Sequence, residues 1–327
     1  MLAAYYRRTG PAHEVLELGE LDAPEPGPGE VRVRLRTSGV NPSDVKNRRG
    51  GPDRPMAFDL IVPHSDGAGE IDSLGAGVDN RRLGERVWVW NAQFQRPFGT
   101  AAQFVVLPAE QAAALPEGVD FEVGACLGIP AMTAWRAATL EGRLDGRWVL
   151  VAGGAGAVGH YAIQIARLQG ARVIATVSSA DKAARAEQAG AEIVIDYKRE
   201  DVAERIMAAT DERGVDRVIE VDLAGNAALL PRIVRQGATV VCYGANAPEA
   251  TLPFQAYLRQ DIALRFFLVY RLPPDVRRAA IAGLMELLKQ DRLIHAIDRT
   301  YPLAEIAAAH ERVETGQAIG NVVLEIP

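Results

Sequence analysis

Three glycines in the segment VLVAGGAGAVGHYA have the spacing Gly154-x-Gly156-x-x-Gly159, directly between an apolar run and a helical pattern. Glycines let the chain turn tightly and let backbone amides approach a diphosphate, and the start of the following helix adds partial positive charge. An isolated pattern of this kind also fits a purely structural turn, but its place between strand and helix favours dinucleotide binding. The loop residues expected to bind it are Gly154, Ala155, Gly156, Ala157, Val158 and Gly159.

The residues on the adenosine side of such a site indicate which dinucleotide it takes. The apolar run ARVIATV ends at Val177, where an NAD site usually carries an acidic residue for the ribose 2′-hydroxyl. Here Ser178, Ser179 and then Lys182 follow, and these groups can hold a 2′-phosphate by charge-assisted hydrogen bonds. The pattern favours NADP(H), although Lys182 also fits a solvated helix lysine. Tyr197 either closes over the adenosine or is a half-buried aromatic at a strand end.

The strands and helices that must position these groups are predicted from residue 147 onward. In this part of the chain, apolar runs alternate with helical patterns. Strands are predicted over RWVLVAG, ARVIATV, AEIVIDY, VDRVIEV, ATVVCYG and IALRFFLVY. Helices are predicted over GAVGHYAIQIARLQG, ADKAARAEQAG and about residues 200–213, 226–235 and 274–289. Near-continuous apolar strands that alternate with helices predict an α/β domain with a doubly wound parallel sheet.

The first third of the chain has a different pattern. EVRVRLRT alternates apolar residues with arginines, which puts Val31, Val33 and Leu35 on one face, and ERVWVW and AAQFVVL are similar. Short strands with Gly and Pro between them indicate a partly open β-barrel. The last segment, IDRTYPLAEIAAAHERVETGQAIGNVVLEIP, predicts strand, helix and strand, and we expect it to return to the first domain.

Composition excludes several classes of protein. The chain has 327 residues, of which 48% are hydrophobic and 24% charged, with a net charge of -6. This mild acidity gives no reason to expect a nucleic acid or an anionic membrane as a partner. No apolar run approaches the roughly 18 residues that span a bilayer, and the N-terminus lacks the core of a signal peptide. Two cysteines in apolar contexts, Cys126 and Cys242, fit a reducing compartment, and we expect a cytoplasmic protein.

Taken together, SGVNPSDVKNRRG, VLVAGGAGAVG, SSADK, IDY and YPLAEIAAAHE resemble the zinc-independent medium-chain dehydrogenase/reductase superfamily, and within it the quinone oxidoreductase, or zeta-crystallin, group. The resemblance implies a GroES-like catalytic domain, assigned to residues 1–122 and 271–327. It also implies a Rossmann NADP(H)-binding domain, assigned to residues 123–270. The implied activity is an NADPH-dependent reductase.

The same resemblance indicates whether the chain has the ligands for a catalytic zinc ion. Zinc-dependent members of this superfamily carry a cysteine and a histidine at positions that match Asn41 and Ser65 here, and His64 falls one position early. An amide and a hydroxyl are poor zinc ligands beside a thiolate and an imidazole, so no metal is expected. The other histidines are scattered along the sequence and suggest no ligand cluster.

Without a metal, charge that develops on the acceptor oxygen needs hydrogen-bond donors. Asn41 is the first candidate donor, and the alternative is a turn asparagine before Pro42. Lys46 either donates to a quinone oxygen or points into solvent. Thr133 matches a residue that binds the nicotinamide carboxamide in relatives, unless its hydroxyl bonds back to its own helix. Further candidates for cofactor contact are Gly244, Ala245, Phe267, Val269 and Asn321, although Phe267 and Val269 also fit the core of the sheet.

Three functions remain open at this point. The first is hydride transfer from NADPH to a quinone, with solvent supplying the proton. The second is reduction of the C=C bond of enals, enones or enoyl thioesters, which uses the same hydride geometry. The third is a crystallin-like, non-catalytic protein that binds NADPH. We also expect a homodimer, because ALRFFLVY is an apolar strand at the expected edge of the sheet.

Overall fold

The computed structural model describes residues 1–52 and 54–327. The chain folds into two compact units: unit 1 is Met1–Pro130 with Ile281–Pro327, and unit 2 is Ala131–Ala280. The boundaries expected from the sequence, after residues 122 and 270, precede these two divisions.

The bounds of the elements in chain order are as follows. The strands are β1 (Leu2–Tyr5), β2 (Glu17–Glu20), β3 (Glu30–Val40), β4 (Asp66–Leu74), β5 (Arg86–Val89), β6 (Phe104–Pro108), β7 (Ala112–Ala114), β8 (Trp148–Val151), β9 (Arg172–Val177), β10 (Ile193–Asp196), β11 (Val215–Glu220), β12 (Val234–Cys242), β13 (Ala263–Phe266), β14 (Ile297–Pro302) and β15 (Asn321–Glu325). The helices are α1 (Ala12–Val15), α2 (Pro42–Arg49), α3 (Phe121–Gly124), α4 (Met132–Thr139), α5 (Ala157–Leu168), α6 (Ala180–Gln188), α7 (Val202–Ala209), α8 (Leu223–Asn226), α9 (Leu230–Ile233), α10 (Phe254–Gln260), α11 (Pro274–Lys289) and α12 (Ile306–Glu314).

Unit 1 is built around a mixed sheet in the order β14-β15-β3-β4-β5-β7, with β6 also paired to β3. The alternation in β3 is confirmed, since Val31, Val33 and Leu35 are buried while Arg34 and Arg36 are exposed. The return of the C-terminal segment is also confirmed, because β15 pairs antiparallel with β3. The expected alternation in β5 is wrong. Both of its faces are covered, and Val87, Trp88 and Val89 are all buried.

Unit 2 contains a six-stranded sheet in the order β10-β9-β8-β11-β12-β13, within residues that are all described. Each neighbouring pair is parallel. The chain steps outward from β8 in both directions, which confirms the doubly wound sheet. Helix α11 begins and ends where the sequence predicts.

Two sequence predictions in unit 2 are wrong. The helix expected over 226–235 is replaced by two single turns, α8 and α9, and β12 already begins at Val234. Pro231 lies in the first turn of α9, and Val234 adopts extended backbone at its end. The strand expected over IALRFFLVY ends at Phe266, and Val269 lies in a 3₁₀ turn that continues to Arg271. Arg277 from α11 donates to the carbonyl oxygens of Val269 and Tyr270, which stabilises that turn.

Candidate functional site

The glycine loop of unit 2 joins the end of β8 to the start of α5. Gly153 has a φ of 69°, a left-handed conformation that glycine adopts without strain. A Cβ on Gly159 would overlap the carbonyl oxygen of Gly153, so only glycine fits the close approach of helix and loop. Gly156 is the N-cap of α5 and supplies no side-chain cap. The first amides of a twelve-residue helix are therefore left to an anionic group, which the helix dipole also favours.

The residues expected on the adenosine side lie together at the carboxyl ends of β9 and β10. The Tyr197 amide donates to the Val177 carbonyl oxygen over 3.1 Å, which places the tyrosine beside the end of β9. Ser179 is the N-cap of α6, and its hydroxyl oxygen accepts from the Lys182 amide over 3.4 Å. Because this bond uses the oxygen, the Ser179 hydroxyl proton remains able to donate. Ser178 and Lys182 are half-buried, and the Tyr197 side chain is exposed.

A buried carboxylate that the sequence did not single out organises the carboxyl end of β11. Glu220 is buried, and burial raises its pKa. It accepts from the Asn226 amide group over 3.0 and 3.1 Å and from the Asp222 amide over 2.6 Å. A Cβ on Gly244, just after β12, would lie 2.8 Å from the Val221 carbonyl oxygen. This edge of the sheet is therefore tightly packed.

The other residues of unit 2 that are expected near the nicotinamide differ in exposure and in whether their polar groups already form hydrogen bonds. Ala245 is exposed after β12, and the Phe267 amide donates to the Cys242 carbonyl oxygen over 3.3 Å. The Val269 carbonyl oxygen already accepts from Arg277 over 2.9 Å. Thr133 is buried on α4, and within the described part of the chain its hydroxyl makes no hydrogen bond, including none back to its own helix.

Asn41 of unit 1 is the N-cap of α2 and is held by two buried carboxyl groups. Its amide Nδ2 donates to Asp66 Oδ2 over 2.8 Å, and its backbone N–H donates to Asp44 Oδ2 over 2.8 Å. Asn41 and Asp44 form a capping box, in which the Asn41 side chain accepts from the Asp44 amide. An asparagine has one acceptor oxygen and two N–H donors. These contacts use the Asn41 oxygen and one of its two N–H groups, and the second N–H, on the side chain that also interacts with the Asp44 carboxyl group, makes no further hydrogen bond among the described residues.

The two remaining candidates also lie in unit 1. Lys46 is on α2, five residues after Asn41, and is half-buried with an interaction partner. Asn321 begins β15 and is buried, and its amide Nδ2 donates to the Ala296 carbonyl oxygen over 2.9 Å.

A buried chain of hydrogen bonds that the sequence did not predict lies beside Asp66. The Thr100 hydroxyl donates to the backbone oxygen of Asp66, so its own oxygen accepts from Ser38 over 2.7 Å. Ser38 then accepts from His64 Nδ1 over 2.8 Å, and His64 Nε2 accepts from His310 Nε2 over 2.8 Å. This order fixes the tautomer of both rings. Burial lowers the pKa of His64 to about 3.

These contacts also test whether a zinc ion fits unit 1. The positions that match the zinc ligands hold Asn41, whose amide is bonded to Asp66, and Ser65, a neutral hydroxyl. Both ring nitrogens of His64 are committed to Ser38 and His310. The donor set therefore does not fit zinc. Among the described residues, no three potential metal ligands cluster, and no helix has the length and apolar character needed to cross a bilayer.

Two family models match the chain. The model described as alcohol dehydrogenase GroES-like domain matches residues 27–117. The model described as zinc-binding dehydrogenase matches residues 157–289. The second description names zinc, whereas the positions of this chain that match the zinc ligands hold Asn41 and Ser65.

Curated relatives and solved structures match over nearly the whole chain. A quinone oxidoreductase of Pseudomonas aeruginosa is 31% identical, covering 95% of each chain. A 2-haloacrylate reductase of a Burkholderia species is 31% identical, covering 99% of this chain and 98% of the relative. A structure described as an NAD-dependent alcohol dehydrogenase has a TM-score of 0.90 at 29% identity, covering 100% of both chains. A mycobacterial protein complexed with NADPH has a TM-score of 0.87 at 28% identity, covering 99% of this chain and 100% of that one.

Proposed function

Since this chain belongs to the medium-chain dehydrogenase/reductase superfamily, in its quinone oxidoreductase group, we propose that it is an NADPH-dependent quinone reductase that works without a metal. It is an oxidoreductase that uses a pyridine nucleotide. We propose, beyond this, that the cofactor is NADPH and that the acceptor is a quinone.

The cofactor preference is supported by the groups at the carboxyl end of β9. Val177 is followed by two serines, and Lys182 lies in the first turn of α6 beside them. These groups would hold the 2′-phosphate, while the uncapped start of α5 would hold the diphosphate. Tyr197 would cover the adenosine. When bound, the reduced nicotinamide supplies the hydride.

The proposal that the acceptor is a quinone rests on Asn41. Its amide is fixed at the start of α2 with one N–H left, at the position where zinc-dependent members hold a metal ligand. A fixed donor of this kind stabilises negative charge on the acceptor oxygen as hydride arrives. The quinone takes up the hydride and one proton from solvent, which gives the quinol and oxidised cofactor. No strong general acid is needed.

The remaining site residues have supporting roles in this proposal. Thr133 would donate to the nicotinamide carboxamide, because its hydroxyl is not used inside its own helix. Lys46 would lie near the acceptor as a second donor. Backbone contact with the cofactor is proposed for Gly244, Ala245, Phe267, Val269 and Asn321.

Reduction of an activated C=C bond is the second candidate. It is favoured by the 2-haloacrylate reductase, which matches as closely as the quinone oxidoreductase does. In this reaction the N–H of Asn41 would stabilise the enolate oxygen that forms when hydride reaches the β-carbon. One proton must then reach the α-carbon of this enolate, which gives the saturated carbonyl product and oxidised cofactor.

One acceptor panel separates these functions. NADPH oxidation is measured with 1,2-naphthoquinone, 9,10-phenanthrenequinone and a series of 2-alkenals. The proposal predicts the highest kcat/KM with the quinones. A clear preference for alkenals selects the second candidate instead, and tight NADPH binding without turnover of any acceptor contradicts both.

We also propose a homodimer in a cytoplasmic, reducing compartment. Within the part of the chain that the structure describes, strand β13 pairs with β12 alone, and Phe266 and Leu268 beside this edge are 65% and 48% exposed. On the neighbouring α10, Phe254 and Leu258 are 67% and 63% exposed. An open strand edge with apolar surroundings suits pairing with its own copy across a two-fold axis. Both cysteines are buried and free, which suits a reducing compartment.

A further inference from the structure

Asp66 is a buried carboxyl group without a cationic partner. Its side chain is fully buried, and among the described residues no lysine or arginine acts on its charge. Burial raises its pKa, and the nearby Asp44 raises it further. Burying a carboxyl group in this way costs stability. We therefore look for the role of Asp66 in the function of the protein and not in its stability.

Asp66 accepts a hydrogen bond from one side chain, that of Asn41. The Nδ2–Oδ2 distance is 2.8 Å, and Asp66 Oδ1 has no hydrogen-bond partner among the described residues. A Cβ on Gly128 would overlap Oδ1, so the backbone at Gly128 closes that side of the carboxyl group. Oδ2 of Asp66 therefore faces the amide of Asn41, and the backbone N–H of Ile129 also interacts with the carboxyl group.

This contact decides which way round the Asn41 amide lies. If the amide were turned over, its Oδ1 atom would face an oxygen of Asp66, and its Nδ2 group would face the Asp44 N–H. The Nδ2 group would then lie against the Asp44 N–H donor and, with Asp66 ionised, the amide oxygen would lie against a second acceptor, which is strongly unfavourable in a buried setting. The turned amide would also present no donor to the acceptor oxygen.

We infer that Asp66 is a positioning residue for the reduction: it holds the Asn41 amide in the one orientation that leaves an N–H for the hydride acceptor. The inference rests on the proposed function, because it takes Asn41 to contact the acceptor. Asp66 itself contacts neither acceptor nor cofactor in this account, so its effect is exerted entirely through Asn41.

The test is a double-mutant cycle on residues 41 and 66. Asp66→Ala removes the oxygen that holds the amide, and kcat should fall about 10- to 100-fold while the Kd for NADPH stays unchanged. Asp66→Asn keeps an oxygen that can accept from Asn41, so it should restore most of kcat. Asn41→Ala should cost about 100- to 1,000-fold, and adding Asp66→Ala to it should cost nothing more.

A matched control disturbs the same core without touching the carboxyl group. Thr100 is buried and donates to the backbone oxygen of Asp66. Thr100→Val should therefore leave kcat within about twofold of the parent while altering the neighbouring core. Thermal unfolding of each variant shows whether it is folded, and Asp66→Asn should melt no lower than the parent because it removes a buried acid.

A second readout does not depend on turnover. The side-chain amide signals of Asn41, observed by ¹⁵N NMR, should be distinct and narrow in the parent and in Asp66→Asn, and shifted or broadened in Asp66→Ala. Unchanged signals in Asp66→Ala overturn the inference, as does a double variant whose kcat loss equals the product of the two single losses. If the parent reduces no acceptor, the proposed function fails, and the NMR result still decides whether Asp66 orients Asn41.

Discussion

His64 and His310 face each other through their Nε2 atoms over 2.8 Å in the core of unit 1, and a single proton lies between the two nitrogens. Both rings are fully buried. Burial lowers the pKa of both, and for His310 the neighbouring His64 and Arg48 lower it further. The pair is therefore neutral in the folded protein at neutral pH.

This neutrality predicts a loss of stability in mild acid. The pKa of a histidine in the unfolded chain is about 6.5. Below this pH both histidines bind protons in the unfolded chain but stay neutral in the folded protein. The free energy of unfolding should thus fall as the pH drops from about 6.5, by about 1.4 kcal/mol per pH unit for each histidine. Asp44, whose pKa burial raises to about 7, contributes with the opposite sign.

The contribution of the histidines is isolated by comparing variants. His64 has a φ of 79°, which asparagine tolerates, so the test pair is His64→Asn with His310→Gln. Urea unfolding at pH 7 and pH 5 should show a smaller loss of stability in the double variant than in the parent. Equal losses would mean that the histidines already bind protons in the folded state.

Substitutions at Gly156 and Gly159 should distinguish an effect on folding from an effect on cofactor binding. Gly159→Ala places a methyl group on the Gly153 carbonyl oxygen, so it should lower both the melting temperature and NADPH affinity. At Gly156 the added Cβ lies 3.3 Å from the same oxygen, and the backbone is ordinary, with a φ of -75°. Gly156→Ala should keep the melting temperature and weaken NADPH binding alone. Isothermal titration and thermal unfolding on both variants check this, and unimpaired NADPH binding by Gly156→Ala would contradict it.

The preference for NADPH should depend on Lys182. Lys182→Ala should weaken NADPH binding by about 10- to 150-fold, since a charge-assisted hydrogen bond contributes about 1.5–3 kcal/mol. The affinity for NADH, which lacks the 2′-phosphate, should hardly change. Lys289→Ala, at the exposed end of α11, is the control. An equal loss with both cofactors in Lys182→Ala would refute a phosphate contact.

The exposed edge at β13 should hold the dimer together. Phe266→Glu and Leu268→Glu introduce charge at this edge and should shift the light-scattering mass from that of a dimer to that of a monomer. Leu83→Glu changes an equally exposed leucine of unit 1, which is 59% exposed, and should leave the mass unchanged. A monomeric parent protein, or dimers that persist in both edge variants, would show that β13 is not the interface.

The sequence predicted what depends on short, contiguous patterns. The glycine loop, the strands of unit 2 and the alternation in β3 each follow from neighbouring residues. The turn at Val269 could not be predicted, because Arg277 from the next helix stabilises it. The same holds for His64 and His310, which are 246 residues apart in the chain, and for the contact of Asp66 with Asn41. Each depends on partners that only the folded chain brings together.

The most direct test of the account is a single turnover. The enzyme is mixed with one equivalent of NADPH and then with 9,10-phenanthrenequinone, and the absorbance of the reduced nicotinamide is followed. The account predicts that the absorbance decays at a rate that saturates with quinone, and that dideuteration of NADPH at C4 slows this decay. Bound NADPH whose absorbance persists with every quinone and alkenal would contradict it.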